Sequence, residues 1–156
     1  MLYPITLINL NDMYTVVIGG GPVATRKVRN LLPTDARIRV ISPEASDDLR
    51  AWAEADKIEL LLRGYVAGDL AGARLVYAAT DDRAINAAVA NESHKIGALV
   101  NVADRPEEGN FHMPAVYRDD EFVVAVNCVE PAAKKAVGLR DRIAEMVKEW
   151  YVIRDS

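Results

Sequence analysis

Gly19-Gly20-Gly21-Pro22-Val23-Ala24 has the residue types and the spacing to hold a diphosphate. In the pattern Gly19-x-Gly21-x-x-Ala24 the first glycine permits a tight turn, and the second keeps a Cβ out of the path of an approaching phosphate. Ala24 lets a helix lie close to the strand before it. The turn follows the apolar run Tyr14 to Ile18 and opens a segment of helical spacing. Unpaired backbone N–H groups and the positive end of a helix dipole therefore face the anion. Pro22 and Val23 belong to that first turn, where the missing N–H of proline is not needed. Further along, Thr80-Asp81-Asp82 and Asn101-Val102-Ala103-Asp104 each follow a strand-like apolar run. Ligands of open α/β sheets bind beyond the carboxyl ends of the strands, so both clusters are candidate site segments. Taken alone, Asp81 and Asp82 read as helix caps, whereas Asp104, placed before Arg105-Pro106, has no evident capping duty.

The elements that must position these residues alternate along the chain. Ile5 to Ile8 and Tyr14 to Ile18 are strand-like and close enough for a hairpin with the first strand at an edge. From Pro22 to Leu32, Ala24, Val28, Leu31 and Leu32 share one helical face until Pro33. Arg37 to Ile41, Ile58 to Leu62, Arg74 to Ala79 and Ala98 to Val102 are further strands. Ser46-Asp47-Asp48 caps one helix between them, and Asp81 or Asp82 caps another, in which Ile85, Ala88, Val89 and Glu92 follow at helical offsets. Continuous apolar strands separated by helices predict an α/β fold, a Rossmann-type parallel sheet with helices on both faces. The loop Arg105-Pro106-Glu107-Glu108-Gly109 marks a boundary, giving a dinucleotide-binding domain over 1–104 and a smaller region over 105–156. That region reads as a strand, Glu121 to Val126, and a helix from Pro131 to Trp150. One strand and one helix cannot enclose a core, so a second copy of the chain is the expected partner.

Composition narrows the classes. A net charge of -4 argues against a nucleic-acid partner, since such proteins carry a basic excess or stripe. No apolar run approaches the roughly 18 residues of a spanning helix. Met1 to Leu10 lacks the charged and apolar regions of a signal peptide, and Cys128 stands alone, so a cytoplasmic setting is expected. Two histidines and one cysteine without ligand spacing give no sign of a resident metal. The second strand ends Ile41-Ser42-Pro43-Glu44, so Ser42 can meet either a ribose hydroxyl or a 2′-phosphate, with Arg26 or Arg39 assisting in the second case. NAD is the expected cofactor and NADP the alternative.

Four motifs in one order carry a resemblance. Val17-Ile18-Gly19-Gly20-Gly21-Pro22-Val23-Ala24 with Arg26-Lys27, then Ala78-Ala79-Thr80-Asp81-Asp82, then Asn101-Val102-Ala103-Asp104, then Asn110-Phe111-His112-Met113-Pro114-Ala115 resemble the precorrin-2 dehydrogenase and sirohydrochlorin ferrochelatase family. That family includes the N-terminal part of siroheme synthase, and the likeness runs from about Leu2 to Asn127. It implies NAD-dependent oxidation of precorrin-2 to sirohydrochlorin, on the route to siroheme. Some members also insert ferrous iron in the same cleft. Asp104 matches the aspartate tied to both activities, as a general base or a proton and metal relay. Thr80, Asp81, Asp82 and Asn101 match segments lining the cofactor, and the C-terminal strand and helix match a dimerisation region. A substrate with many carboxylates calls for cations near the cleft mouth. Arg105, Lys134, Lys135 and Arg140 are the candidates, and His112 is a further candidate contact to the macrocycle. Where relatives carry serine this chain has Cys128. The alternative function is a regulatory module that binds a nicotinamide dinucleotide without catalysis.

Overall fold

Five short strand-like runs pair side by side as the alternation predicts. In the computed structural model, which describes residues 2–129 and 132–154, they form one sheet in the order β3-β2-β1-β4-β5. The strands are β1 Tyr14–Ile18, β2 Arg37–Ile41, β3 Glu59–Leu61, β4 Leu75–Ala78 and β5 Leu99–Val102, all paired parallel. Helices α1 Pro22–Leu31, α2 Asp47–Glu54 and α3 Arg83–Lys95 connect β1 to β2, β2 to β3 and β4 to β5. Register decides where the motifs go. Ile18 lies opposite both Ile41 and Ala78, and Ala78 lies opposite Val102. The segments that follow β1, β2, β4 and β5 therefore leave the sheet along one edge.

The core is the interior of this sheet. Val16, Ile18, Val76, Ala78, Val100 and Val102 cluster with Val89 and Ala90 of α3, while α1 buries Ala24, Thr25, Val28 and Leu31. The buried stripe of α3 runs through Asn86, Val89, Ala90 and Ser93. The expected offsets at Ile85, Ala88, Val89 and Glu92 are thus rotated by one position. Two polar residues can turn inward because each is satisfied there: Ser93 Oγ donates to Val89 O at 2.7 Å, and Asn86 is bonded to two strand ends. Between β3 and β4 the chain crosses without a helix. There Glu92 of α3 accepts the N–H groups of Gly68 at 3.1 Å and Leu70 at 3.2 Å and the Tyr65 hydroxyl. Arg63 and Asp69 share two bonds of 2.7 Å in the same crossing.

The chain divides into two compact units, residues 6–112 and residues 1–5 with 113–156. The expected boundary after Asp104 falls inside the first unit, because the following segment is bonded back onto β5. Asn110 N–H donates to Val100 O at 3.0 Å, and its amide accepts from Val100 N at 2.7 Å and donates to Ala98 O at 3.0 Å. Ile5 to Ile8 is not a strand; residues 2–9 carry neither helix nor strand, and Ile5 and Ile8 are exposed. No partner strand is offered to that segment, so its β-propensity goes unused.

In the second unit, β6 Ala115–Arg118 and β7 Val123–Val126 pair antiparallel and accompany α4 Ala133–Arg154. The expected strand from Glu121 begins at Val123, since Asp119 Oδ1 takes the N–H groups of Glu121 at 2.9 Å and Phe122 at 2.7 Å to form the turn. β6 was not expected, as its short run after Pro114 carries little strand signal. Phe122 stands edge-on to Trp150 of α4 with ring centroids 5.7 Å apart. Pro131, the expected start of that helix, lies outside the described residues. Among those residues no helix is long and apolar enough to cross a membrane.

Candidate functional site

The loop after β1 is confined on two sides and open on a third. Gly19 has φ +122°, and a Cβ there would stand 2.3 Å from Ala79 O. Gly20 is tighter: its Cβ would be 1.9 Å from Glu44 O and 2.8 Å from Ser42 Oγ. Gly21 has an ordinary φ of -84°, and nothing lies within 4 Å of a Cβ at that position. The protein itself thus supplies no reason for glycine at 21, whereas a phosphate approaching the backbone does.

Helix capping points the same way. Ser46 caps α2 and Asp82 caps α3 through Ala84 N–H at 2.7 Å and Ile85 N–H at 3.1 Å, but no side chain caps α1. The orphan N–H groups of its first turn remain for a ligand. The loop is stitched to the segment after β2. Ser46 N–H donates to Gly20 O at 3.0 Å, and Thr25 Oγ1 lies 2.8 Å from Ser46 Oγ and donates to Gly21 O at 3.0 Å. Pro22 and Val23 open α1 at its exposed end, and Ala24 is fully buried beneath it. The residues present therefore fit a dinucleotide diphosphate.

Ser42 ends up buried beside Gly20, and among the described residues its hydroxyl has no hydrogen-bond partner. Arg39 has partners within the fold: its Nε donates to Glu59 at 2.7 Å and its guanidinium stands 5.3 Å from the Tyr14 ring centre. Arg26 is exposed on α1.

At the ends of β4 and β5 the two polar motifs meet through a residue that neither contains. Asn86, fully buried in the first turn of α3, donates to Thr80 O at 2.9 Å and to Asp104 Oδ1 at 2.8 Å. Its own Oδ1 accepts from Thr80 N at 3.2 Å and Thr80 Oγ1 at 2.8 Å. Arg83, three residues earlier in the same turn, donates to Asp104 Oδ2 at 2.8 Å and also pairs with Glu108. Burial of Asp104 works to raise its pKa, but the bonds from Arg83 and Asn86 outweigh it and hold the carboxyl below its ordinary value. Asp104 is an ionised carboxylate with both oxygens directed by α3.

The other expected residues divide. Asp82 is committed to its cap and Asp81 is exposed. Asn101 is buried and donates to Phe111 O at 3.2 Å, which fastens the return segment to β5. Phe111 stands edge-on to Tyr77 at 5.6 Å, so Asn110 and Phe111 are both spent on packing. Arg105 is exposed, 3.8 Å from Glu108, and His112 is exposed. Lys134 and Lys135 are exposed on α4 of the other unit, where Arg140 pairs with Asp141. Among the described residues no group of three or more His, Cys, Asp or Glu side chains is disposed to hold a metal ion.

A parallel sheet of this order, with an uncapped helix behind a glycine turn at its switch point, defines a Rossmann-type dinucleotide-binding domain. A family model described as "Putative NAD(P)-binding" matches residues 6–115, and the chain belongs to that family. It is 37% identical over 143 residues to a siroheme synthase of Pseudomonas fluorescens (strain Pf0-1), covering 92% of this chain and 31% of that protein. A siroheme synthase of Ectopseudomonas mendocina (strain ymp) is 40% identical over 136 residues, covering 87% of this chain and 29% of that protein. The chain thus spans about a third of the length of these relatives. Among solved structures, the precorrin-2 dehydrogenase SirC superposes with a TM-score of 0.78 at 26% identity, covering 95% of this chain and 70% of that one.

Proposed function

We propose that this chain oxidises precorrin-2 to sirohydrochlorin with NAD, in the cytoplasm, as one step of siroheme formation. The observation that carries the reading is a run of contacts from the diphosphate turn to a directed carboxylate. Gly19 packs on Ala79 and Thr80, Thr80 is bonded to Asn86, and Asn86 is bonded to Asp104. The likeness to siroheme synthases and to a precorrin-2 dehydrogenase supplies the substrate.

Bound NAD in its oxidised form supplies the hydride acceptor. The residues of the chain do the rest. Gly21 and the first turn of α1 hold the diphosphate, and Ser42 meets the adenosine ribose. The macrocycle loses one hydride with its electron pair and one proton, a two-electron oxidation. Asp104 takes that proton and passes it to water. A weak base suffices, because hydride loss leaves a cationic macrocycle whose remaining proton is strongly acidic. Arg105 and His112 stand with the exposed polar groups able to meet substrate carboxylates. A second copy of the chain covers the exposed Met146, Val152 and Ile153 of α4, making a homodimer. Light scattering after size exclusion tests it, with a monomer at micromolar concentration as the contrary result.

Anaerobic incubation with precorrin-2 and NAD, followed by sirohydrochlorin absorbance, tests the activity. Formation that requires both protein and NAD is expected, and its loss in Asp104→Ala with NAD binding retained. No product despite NAD binding would remove the substrate assignment. Ferrous iron added to the product mixture then tests iron as a second substrate.

A further inference from the structure

Asn86, a fully buried amide where β4 and β5 end, is bonded to both motif ends, and this is more than packing requires. Asn86 uses both amide hydrogens and its carbonyl oxygen on Thr80 and Asp104. Only a primary amide serves here: aspartate has no N–H to donate, and a carboxylate would stand against the Asp104 charge. Arg83 reaches the second Asp104 oxygen from the same helical turn and is itself steadied by Glu108, in the 3-10 turn Pro106–Glu108. Each Asp104 oxygen thus receives one bond from α3, and the helix start that supplies them is fixed by the Asp82 cap.

We infer that the first turn of α3 is the positioning device of the site, with Arg83 and Asn86 aiming the Asp104 carboxylate and Asn86 coupling it to the Thr80 strand end beside the cofactor turn. The inference deepens the dehydrogenase reading and rests on it for the proton-accepting role of Asp104. Neither residue belongs to a recognisable sequence motif. Arg83 acts through Asp104, so its loss changes how Asp104 ionises and points and leaves the diphosphate turn intact, whereas loss of Asn86 also frees Thr80 beside that turn. The charged groups facing Asp104 are Arg83 from α3 and, from the following loop, Glu108 through Arg83, with Arg105 adjacent in the chain. Without Arg83 the balance around Asp104 shifts towards Glu108, and protonation becomes easier.

The test compares the intact chain with Arg83→Gln, Arg83→Lys and Asn86→Ala by carbon-detected titration of the Asp104 carboxyl and by steady-state oxidation. Arg83→Gln and Asn86→Ala are expected to titrate at higher pH than wild type. They should lose kcat by about 10- to 100-fold and shift the acid limb of the rate profile upward, with KM for NAD nearly unchanged in Arg83→Gln. Arg83→Lys, which keeps the charge, should restore the acid limb. An Asp104 titration unmoved in both variants overturns the inference, as does a kcat loss with an unmoved acid limb. The Arg83 side chain is 36% exposed, so its variants carry the test should Asn86→Ala fail to fold. Wild-type protein that leaves precorrin-2 unoxidised would overturn the functional reading instead; the titration needs no substrate and still decides the clamp.

Discussion

Gly20 lies so close to Glu44 that a Cβ on it would stand 1.9 Å from the Glu44 carbonyl oxygen, while the neighbouring Gly21 faces open space. Two adjacent glycines therefore differ: the fold itself requires the first, and the proposed diphosphate contact would account for the second. Gly20→Ala must displace backbone and should cost about 2 kcal/mol or more. Gly21→Ala should melt like wild type but bind NAD at least about tenfold more weakly, the equivalent of 1.4 kcal/mol. Thermal melts and fluorescence titration with NADH separate the two. Equal NAD affinity in Gly21→Ala would remove the diphosphate from that turn.

Asp104→Asn keeps the size and the hydrogen-bonding reach of the side chain but removes the base. NAD binding should be retained and oxidation reduced by about 100-fold or more. Because Arg83 and Asn86 hold the carboxyl below its ordinary value, its contribution to stability is present above the unfolded value of about 3.9 and is lost as pH falls through the folded one. The stability difference between wild type and Asp104→Asn should therefore persist at neutral pH and shrink under acid. Melts at pH 7 and in steps below pH 4 check the sign.

Lys27 carries its ammonium 5.7 Å from the centre of the Tyr77 ring, and burial, aided by the nearby Arg26 charge, lowers its pKa to about 8. Below that pH the folded state holds a poorly solvated charge, whereas the unfolded lysine titrates near 10.4. The native state thus binds fewer protons between these values, and stability rises with pH across that window. Lys27→Met should be more stable at pH 7 by about 1–3 kcal/mol, with the advantage fading towards pH 10. A difference independent of pH would show that the amine is solvated.

The helix-free crossing from β3 to β4 depends on two carboxylates. Glu92→Ala strips the partners from Gly68 N–H, Leu70 N–H and the Tyr65 hydroxyl and should cost about 2–3 kcal/mol. Asp69 is held below the ordinary carboxylate value chiefly by its bond to Arg63, and it also accepts Val66 N–H at 2.8 Å. Its support is present above about pH 3.9 and lost as pH falls through the folded value. Hydrogen exchange at Val66 should accelerate under acid while amides of β1 stay protected. Uniform protection across both segments would count against a local latch.

The sequence by itself determined the strand and helix alternation, because continuous β-branched runs and capping residues are local signals. β1 and β2 fall where Tyr14–Ile18 and Arg37–Ile41 read as strands, and Ser46 and Asp82 cap the helices they precede. It also marked Gly19, Gly21 and Asp104 as residues of interest, since a glycine turn and an acid at strand ends have meaning in their own short contexts. What only the tertiary structure decided is which groups meet. Gly20 is constrained by Glu44 on the next crossing, and the Asn110 segment closes the edge of β5, which moves the unit boundary to residues 112–113. Arg39 is taken by Glu59 across two strands, and Asn86 joins Thr80 to Asp104 from a helix face that periodicity alone would have kept apolar. Such pairings depend on register and on hydrogen bonds between residues far apart in the chain. A buried asparagine is stable only where those partners converge, and no local pattern of residues records that convergence.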